Sequence, residues 1–461
     1  MREPLPATAD LKAAARTIFN RALEHCSIER AFDRTLRTCT DERGANLVLG
    51  GCEWVPLDRL KRVRIVSIGK AGAAMLTSLL PRLRLPQECS FEGVLIAPAR
   101  PERLPQSIRC FAGGHPVPNA ASFAGASAAL SMMRALGNSP AEDALCIFLI
   151  SGGASAMMEL PLDPTVPLDD TIAFHQALVH SGASIVEMNC VRKHFSAVKG
   201  GRLALAAGSA RRISLMVSDV PPAHLDALAS GPTVADSTTV SECLDIIARY
   251  GLMRRFPESV RRFFASPRLP ETPKPSEMNS DAWTLLDSEA LGSAAETEAA
   301  RVGFYPVIDN TCDDWSYDDA ADYLLNRLRR LRREHARVCL ISVGEVTVKL
   351  PEGPRRIGAG GRNQHFALYA ATRLLADDGP IAVLSAGSDG IDGNSGAAGA
   401  VIGEGAVEGD SAPGRIAALE ALEAFDSATF LNAAGATIVT GATGHNLRDL
   451  RLLLAQDGVA P

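Results

Sequence analysis

Residues 144–156 read ALCIFLISGGASA: seven apolar residues in succession that stop at Ser-Gly-Gly. A short, wholly apolar run ending in a glycine turn is the pattern of a strand buried on both faces, as in a parallel sheet. The pattern repeats on either side. RVRIVSIG (62–69) leads into a helical stretch from about Gly72 to Leu83. EGVLIAP (92–98) and SIRCFAGG (107–114) are followed by a helix over 119–137, and RISLMVSDV (212–220) is a fifth strand. Ahead of them, Leu11, Ala15, Ile18, Phe19 and Ala22 recur at helical spacing and predict a helix over 8–40. Strands alternating with amphipathic helices make βαβ units and a mostly parallel sheet. Ligands bind beyond the carboxyl ends of such strands, where this chain places Gly69-Lys70, Ser151-Gly152-Gly153 and Ser218-Asp219.

The composition changes over 256–280, FPESVRRFFASPRLPETPKPSEMNS, where five prolines and little periodicity predict a linker. The strand theme then returns in AWTLLDS (282–288), YPVID (305–309), RVCLISVGEVTV (337–348), IAVLSAG (381–387) and ATIVTGATG (436–444). Helices are expected over 289–302 and 318–334, and at the end of TGATGHNLRDL (440–450). With 461 residues and about 100–200 residues per domain, two α/β domains are the simplest division.

A net charge of −6 gives no support to a nucleic-acid or acidic-membrane partner. The basic run RLRRLRREH (327–335) reads as a solvated helix face. Ten cysteines show no CxxC spacing, and several sit in apolar runs, as buried thiols do. No apolar run reaches the ~18 residues of a membrane span, and the N-terminus has no signal-like core. A cytoplasmic protein is expected.

The sequence has no GxxxxGK[ST], no GxGxxG after the first strand, no GxSxG and no HExxH. What it offers is a set of glycine loops with charged residues beside them. The 151–155 loop, with Ser151, Gly152, Gly153 and Ser155, can cradle an anion. Lys70 stands between a strand end and Ala71-Gly72. In NCVRKHFSAVKGGRLA (189–204), Arg192, Ser196, Lys199 and Leu203 fit one helical face that suits a carboxylate or phosphates. Arg362 opens the helix after GAGG (358–361), where a cation opposes the helix dipole and so points to a ligand. Asp389 and Asp392 sit in the turn-rich SAGSDGIDG (385–393), which suits either turn geometry or a hard cation. Phosphoryl transfer needs such parts: donors around phosphate oxygens, fixed cations, carboxylates and an oriented hydroxyl.

Eight segments in order, IVSIGKAGAAM, GGHPVPNAAS, LISGGASAMMELP, NCVRKHFSAVKGGRLA, SDV…ASGPTVADSTT, GAGGRNQHFAL, AGSDGIDGNSGAAGAVI and TGATGHNLRDLRLLL, resemble the glycerate 2-kinase family from about residue 10 to 455. The resemblance implies a Rossmann-like, mostly parallel α/β domain over 8–255, a linker over 256–280 and a second α/β (MOFRL) domain over 281–455, with the active site between the two domains. It implies ATP and Mg²⁺, with D-glycerate phosphorylated to 2-phosphoglycerate, and it leaves room for a homodimer. The family's catalytic lysine falls on Lys70 and its arginine on Arg362. On that basis Lys70 and Arg362 neutralise the transferring phosphoryl. Ser151, Gly152, Gly153, Ser155, Arg192 and Lys199 hold phosphates or the substrate carboxylate. Asp219 or Asp389 orients the hydroxyl or meets Mg²⁺, with Glu345 a second metal candidate.

The chain departs from the family pattern at Ala154, where a third glycine is usual, and over 221–226, where an acidic pair is replaced by PPAHLD. It also departs at Val343, His365 and Gly396. The departures leave two alternatives beside the glycerate kinase: a kinase for another small hydroxy acid, or a catalytically weak ligand-binding paralogue.

Overall fold

The β-branched and leucine-rich runs form strands in a computed structural model that describes residues 9–41, 44–137, 139–220, 222–278, 281–350, 357–403, 407 and 414–456. Pro221 and the first residue of the expected 8–255 domain lie outside the described residues, as do the last two of the 256–280 segment. The chain divides into two compact units: Ile28–Leu285, and Met1–Ser27 together with Leu286–Pro461.

In the first unit, β1 (Leu36–Asp41), β2 (Gly44–Leu49) and β3 (Glu53–Pro56) form a small antiparallel sheet. The main sheet holds β4 (Arg62–Ile68), β5 (Ser90–Ala97), β6 (Ile108–Ala112), β7 (Ala144–Ser151), β8 (Arg211–Val217) and β9 (Asp281–Leu286), in the order β6-β5-β4-β7-β8-β9. The pairs from β6 through β8 are parallel. All eight positions of β7 are buried, as its unbroken apolar run requires of a strand covered on both faces. The helix Ala120–Arg134 starts where Asn119 caps it, its side chain accepting from the Ser122 N–H while the Ser122 hydroxyl accepts from the Asn119 N–H.

The second unit holds β10 (Tyr305–Ile308), β11 (Arg337–Gly344), β12 (Ile381–Gly387), β13 (Gly399–Gly403), β14 (Thr437–Ile438) and β15 (Asp449–Gln456), ordered β10-β11-β15-β12-β13-β14. Only β10 and β11 pair in parallel; the remaining pairs are antiparallel. This sheet is therefore mixed.

Several expectations are corrected. The 8–40 helix is two helices, Ala9–His25 and Ile28–Thr35, followed by β1. The first of them packs on helix Ser288–Arg301 and on β12, β13 and β15, so it belongs to the second unit, not to an N-terminal domain. The 256–280 segment is no free linker. Its helix Glu258–Phe264 buries Val260, and its Phe263 and Phe264 join Phe174, Phe195 and Phe256 in one aromatic cluster. β9, expected to open the second domain, is hydrogen-bonded into the first unit's sheet. The expected helix after 440 is instead β15, lying centrally between β11 and β12.

Candidate functional site

The strand order reverses between β4 and β7: β5 and β6 extend the sheet on one side, β8 and β9 on the other. A reversal point of this kind leaves a crevice at the strands' carboxyl ends. Lys70 follows β4 there and 151–153 follows β7. The two turns interlock. The Lys70 N–H donates to the Gly152 carbonyl (2.9 Å), and the Ala71 N–H donates to Ser151 Oγ (3.0 Å). Ser151 Oγ in turn donates to the Ile68 carbonyl (3.2 Å). Gly69 is left-handed (φ +108), and a β-carbon there would lie 2.4 Å from Ser151 Oγ.

Lys70 itself is exposed. A β-carbon added to Gly153 (φ +82) would sit 3.3 Å from Lys70 Cγ and 3.1 Å from His115 Cδ2. One added to Gly152 would lie 2.1 Å from Asp219 Oδ2. Lys70, Gly152, Gly153, Asp219 and His115 thus converge from the ends of β4, β7, β8 and β6. Glycine is required at 152 because the Asp219 carboxylate closes over its bare Cα, and at 153 because the backbone there is left-handed (φ +82) under the His115 and Lys70 side chains. His115 lies inside the quoted GGHPVPNAAS segment, but a lone histidine offers no pattern to mark its role. Burial, then the charge of Lys70, hold its imidazole below the ordinary value.

The remaining expected ligands of this unit divide. Ser151 is 1% exposed and ties the two turns together instead of facing a ligand. Ser155 shares a hydrogen bond with Ser230 (2.9 Å), whose hydroxyl donates to Asn189 Oδ1 (3.0 Å); Arg192 Nη1 donates to the same oxygen (3.3 Å). Arg192 Nε is buried with no partner among the described residues, so donor capacity remains. Lys199 is corrected. It is fully buried, forms an ion pair with equally buried Glu159, and lies outside any helix, since the 185–195 helix ends at Phe195. His175 Nε2 meets the same carboxylate at 2.8 Å. Burial alone would raise the Glu159 pKa, but Lys199 and His175 hold it well below the carboxylate range. Ala154 is 1% exposed in the apolar core, so its methyl group packs inward and does not obstruct the loop. Of the 221–226 stretch, Asp226 accepts from Lys193 Nζ (2.9 Å).

The second unit carries Arg362 at the first position of helix Arg362–Thr372. Its guanidinium lies between two carboxylates. Nε and Nη2 donate to Asp449 (2.6 and 3.1 Å), Nη1 to Glu345 Oε2 (2.8 Å), and Nη2 lies 2.7 Å from Glu345 Oε1. Burial opposes the charge, but Asp449 and Glu345 outweigh it and raise the guanidinium pKa. The helix start is already capped by Asp392, which accepts from the N–H groups of Asn363 (3.0 Å) and Gln364 (2.8 Å). Burial raises the Asp392 pKa to about 6. Arg362, Glu345, Asp389 and His365 line a cavity of ≈ 750 Å³, whose apolar side includes Val346 and Phe425. His365 stacks on Phe425 (5.4 Å) and meets Tyr317 edge-on (4.4 Å). Burial lowers its pKa to about 4, so the ring is neutral near pH 7. Glu345 is committed to Arg362, and among the described residues no group of three or more His, Cys, Asp or Glu is placed to hold a metal ion. The two departures Val343 and Gly396 are a buried strand residue and a left-handed turn (φ +69) with open space around it.

The chain matches the domain described as "Domain of unknown function (DUF4147)" over residues 14–265 and the MOFRL family over 338–449. It is 33% identical to the D-glycerate 2-kinase of Thermotoga maritima, over 86% of this chain and 92% of that protein. The chain belongs to the glycerate 2-kinase family. The crystal structure of the glycerate kinase of Thermotoga maritima superposes with a TM-score of 0.77 at 30% identity, covering 97% of this chain and 99% of that one. An Agrobacterium vitis relative with the provisional name hydroxypyruvate reductase is 34% identical over 85% of this chain and 87% of its own length. This member of the family sets a lysine at the reversal point of one sheet and a doubly paired arginine in the other unit. No helix among the described residues is long and apolar enough to cross a membrane.

Proposed function

We propose that the protein transfers the γ-phosphoryl of ATP to the C2 hydroxyl of D-glycerate, giving 2-phosphoglycerate and ADP. The observation that carries the reading is Lys70, exposed at the reversal point and set beside Gly153, with Asp219 against Gly152. The relatives named as glycerate kinases support the substrate. Catalysis of phosphoryl transfer rests on positioning and on charge neutralisation. Lys70 supplies a point charge to the phosphoryl oxygens. Arg362 supplies a planar fork that matches phosphate or carboxylate once Glu345 gives way; Asp449, 2% exposed, holds the other edge. Arg192, through its unused Nε, is the reserve donor for the substrate carboxylate. Asp219 orients the hydroxyl. Asp389, on the cavity wall, is the carboxylate left to meet Mg²⁺, which is commonly held by one or two carboxylates plus phosphates and supplies charge neutralisation there.

ADP release from the purified protein with Mg·ATP and D-glycerate tests the reading, with phosphorus NMR to locate the ester. Glycerate-dependent ADP and phosphate on the C2 oxygen are expected. Turnover only with another hydroxy acid would move the substrate. Nicotinamide oxidation with hydroxypyruvate would favour the name given to the Agrobacterium vitis relative.

A further inference from the structure

Moving the phosphoryl group onto an alcohol leaves one task that neither cation performs: the hydroxyl proton must go somewhere. We infer that His115 is the catalytic residue that accepts it, an inference that rests on the kinase reading above. His115 comes from the loop after β6, and its ring is the third side chain at the reversal point besides Lys70 and Asp219. A β-carbon on Gly153 would contact His115 Cδ2 at 3.1 Å and Lys70 Cγ at 3.3 Å, so the imidazole and the lysine stem both close on one bare Cα. The ring is exposed and makes no hydrogen bond or ion pair among the described residues, which leaves its nitrogens open to a ligand. The loop that carries it is fixed. Gly114 N–H donates to Ser122 Oγ (3.0 Å), and Asn119 Nδ2 donates to the Ala112 carbonyl (3.1 Å).

The charged groups around the ring decide its state. Lys70 faces it from the loop after β4, and Asp219 lies beyond Gly152 from the loop after β8. Partial desolvation by the surrounding loops and then Lys70 favour the neutral ring, so near pH 7 a ring nitrogen carries a lone pair. Lys70 by itself disfavours the imidazolium. An anionic substrate and the transferring phosphoryl, lying between the two, reverse that balance when the proton arrives. The step closes as follows. The substrate O–H bond breaks and its proton passes to the free ring nitrogen. The oxygen forms the new bond to the γ-phosphorus, and the bond from that phosphorus to the β–γ bridging oxygen breaks. ADP leaves with that electron pair, and the imidazolium returns its proton to solvent.

The test is the pH dependence of kcat/KM for D-glycerate, with saturating Mg·ATP, in the wild-type chain and in His115→Gln and His115→Asn. A positioned general base contributes about two to four orders of magnitude, so kcat is expected to fall by that much in both variants while KM for glycerate changes far less. The limb that descends toward acid pH in the wild type is expected to vanish. ADP binding, followed by thermal shift, should match wild type, because His115 is exposed and bonds to nothing that holds the loop. A limb that persists in both variants, or a kcat within a few-fold of wild type, overturns the role of His115 and leaves the kinase reading standing. A wild-type chain with no glycerate-dependent ADP release overturns the kinase reading and this role with it.

Discussion

Arg362 shows what a residue's neighbours add to its sequence position. Its place at a helix start marks it as a ligand group, and the structure supplies two carboxylates that hold it, bidentate, before any ligand arrives. Arg362→Lys keeps the charge but loses the fork. It is expected to lower kcat by about two to three orders of magnitude, the usual cost of removing one charge-stabilising donor; steady-state kinetics with near-normal turnover would show that only the charge matters. Other residues were not legible. Ser151 looks like a loop donor in the sequence and Lys199 like a ligand group on a helix face, but spacing does not tell a hydroxyl that faces a ligand from one that ties two turns together, nor an exposed lysine from one paired to a buried Glu159. His365 carries a pH prediction. Its ring stays neutral in the fold down to about pH 4, whereas the unfolded chain takes a proton near the ordinary 6.5. A histidine depressed in the fold costs stability as pH falls through that window, on the order of 3 kcal/mol by pH 4 at 1.36 kcal/mol per unit. In His365→Phe, which keeps the stack on Phe425, urea midpoints should lose less stability than wild type between pH 6.5 and 4.5; parallel profiles would contradict this.

At the scale of elements, the apolar runs announced β4, β5, β7 and β8 because parallel strands covered on both faces leave no polar alternation to misread. β15 was misread for the same reason. In NLRDLRLLL, Leu447, Leu450 and Leu454 fit a helix, and Leu450, Leu452 and Leu454 fit a strand; only pairing to β11 and β12 decides. That pairing also buries Arg451 completely, its guanidinium donating to the Gly344 carbonyl (3.3 Å) and Ser342 Oγ (3.4 Å). The segment after helix Ile185–Phe195 shows the converse, a helical pattern at Arg192, Ser196 and Lys199 that the chain does not follow. Lys199 and Ser196 instead lie in an irregular stretch, where Ser196 bridges to Pro161 and Lys199 is tied to Glu159. Removing one partner of a buried ion pair strands the other charge, at about 3–5 kcal/mol. Lys199→Met should therefore lose that much in chemical denaturation, and Lys199→Met with Glu159→Gln should recover most of it. A double variant no better than the single would mean that the loss comes from packing.

The division of the whole molecule is what local patterns conceal most. Helical spacing over 9–25 says which face is apolar but not which core receives it, and proline content over 256–280 says little about five phenylalanine rings packing together nearby. The first helix gives Leu11, Ile18 and Phe19 to the unit that contains the MOFRL match, each no more than 2% exposed. Further ties hold it: Arg16 donates to the Thr437 carbonyl (3.1 Å), and His25 and Arg21 lie 3.3 and 4.0 Å from Glu298. At about 1.5–3 kcal/mol for each large apolar side chain, these three contribute on the order of 6 kcal/mol, comparable with the whole stability of a domain. A chain begun at Ile28 should therefore lose the cooperative unfolding of the 286–461 unit while Ile28–Leu285 still unfolds as one transition. Calorimetry of residues 1–461 against 28–461 separates these. If both transitions survive deletion at unchanged temperature, the N-terminal helix adds nothing to that core. A second cut discriminates the boundaries directly. Residues 28–255 lack Phe256, Phe263, Phe264 and β9, so this piece should be markedly less stable than 28–285, which keeps the aromatic cluster and the sixth strand of its sheet.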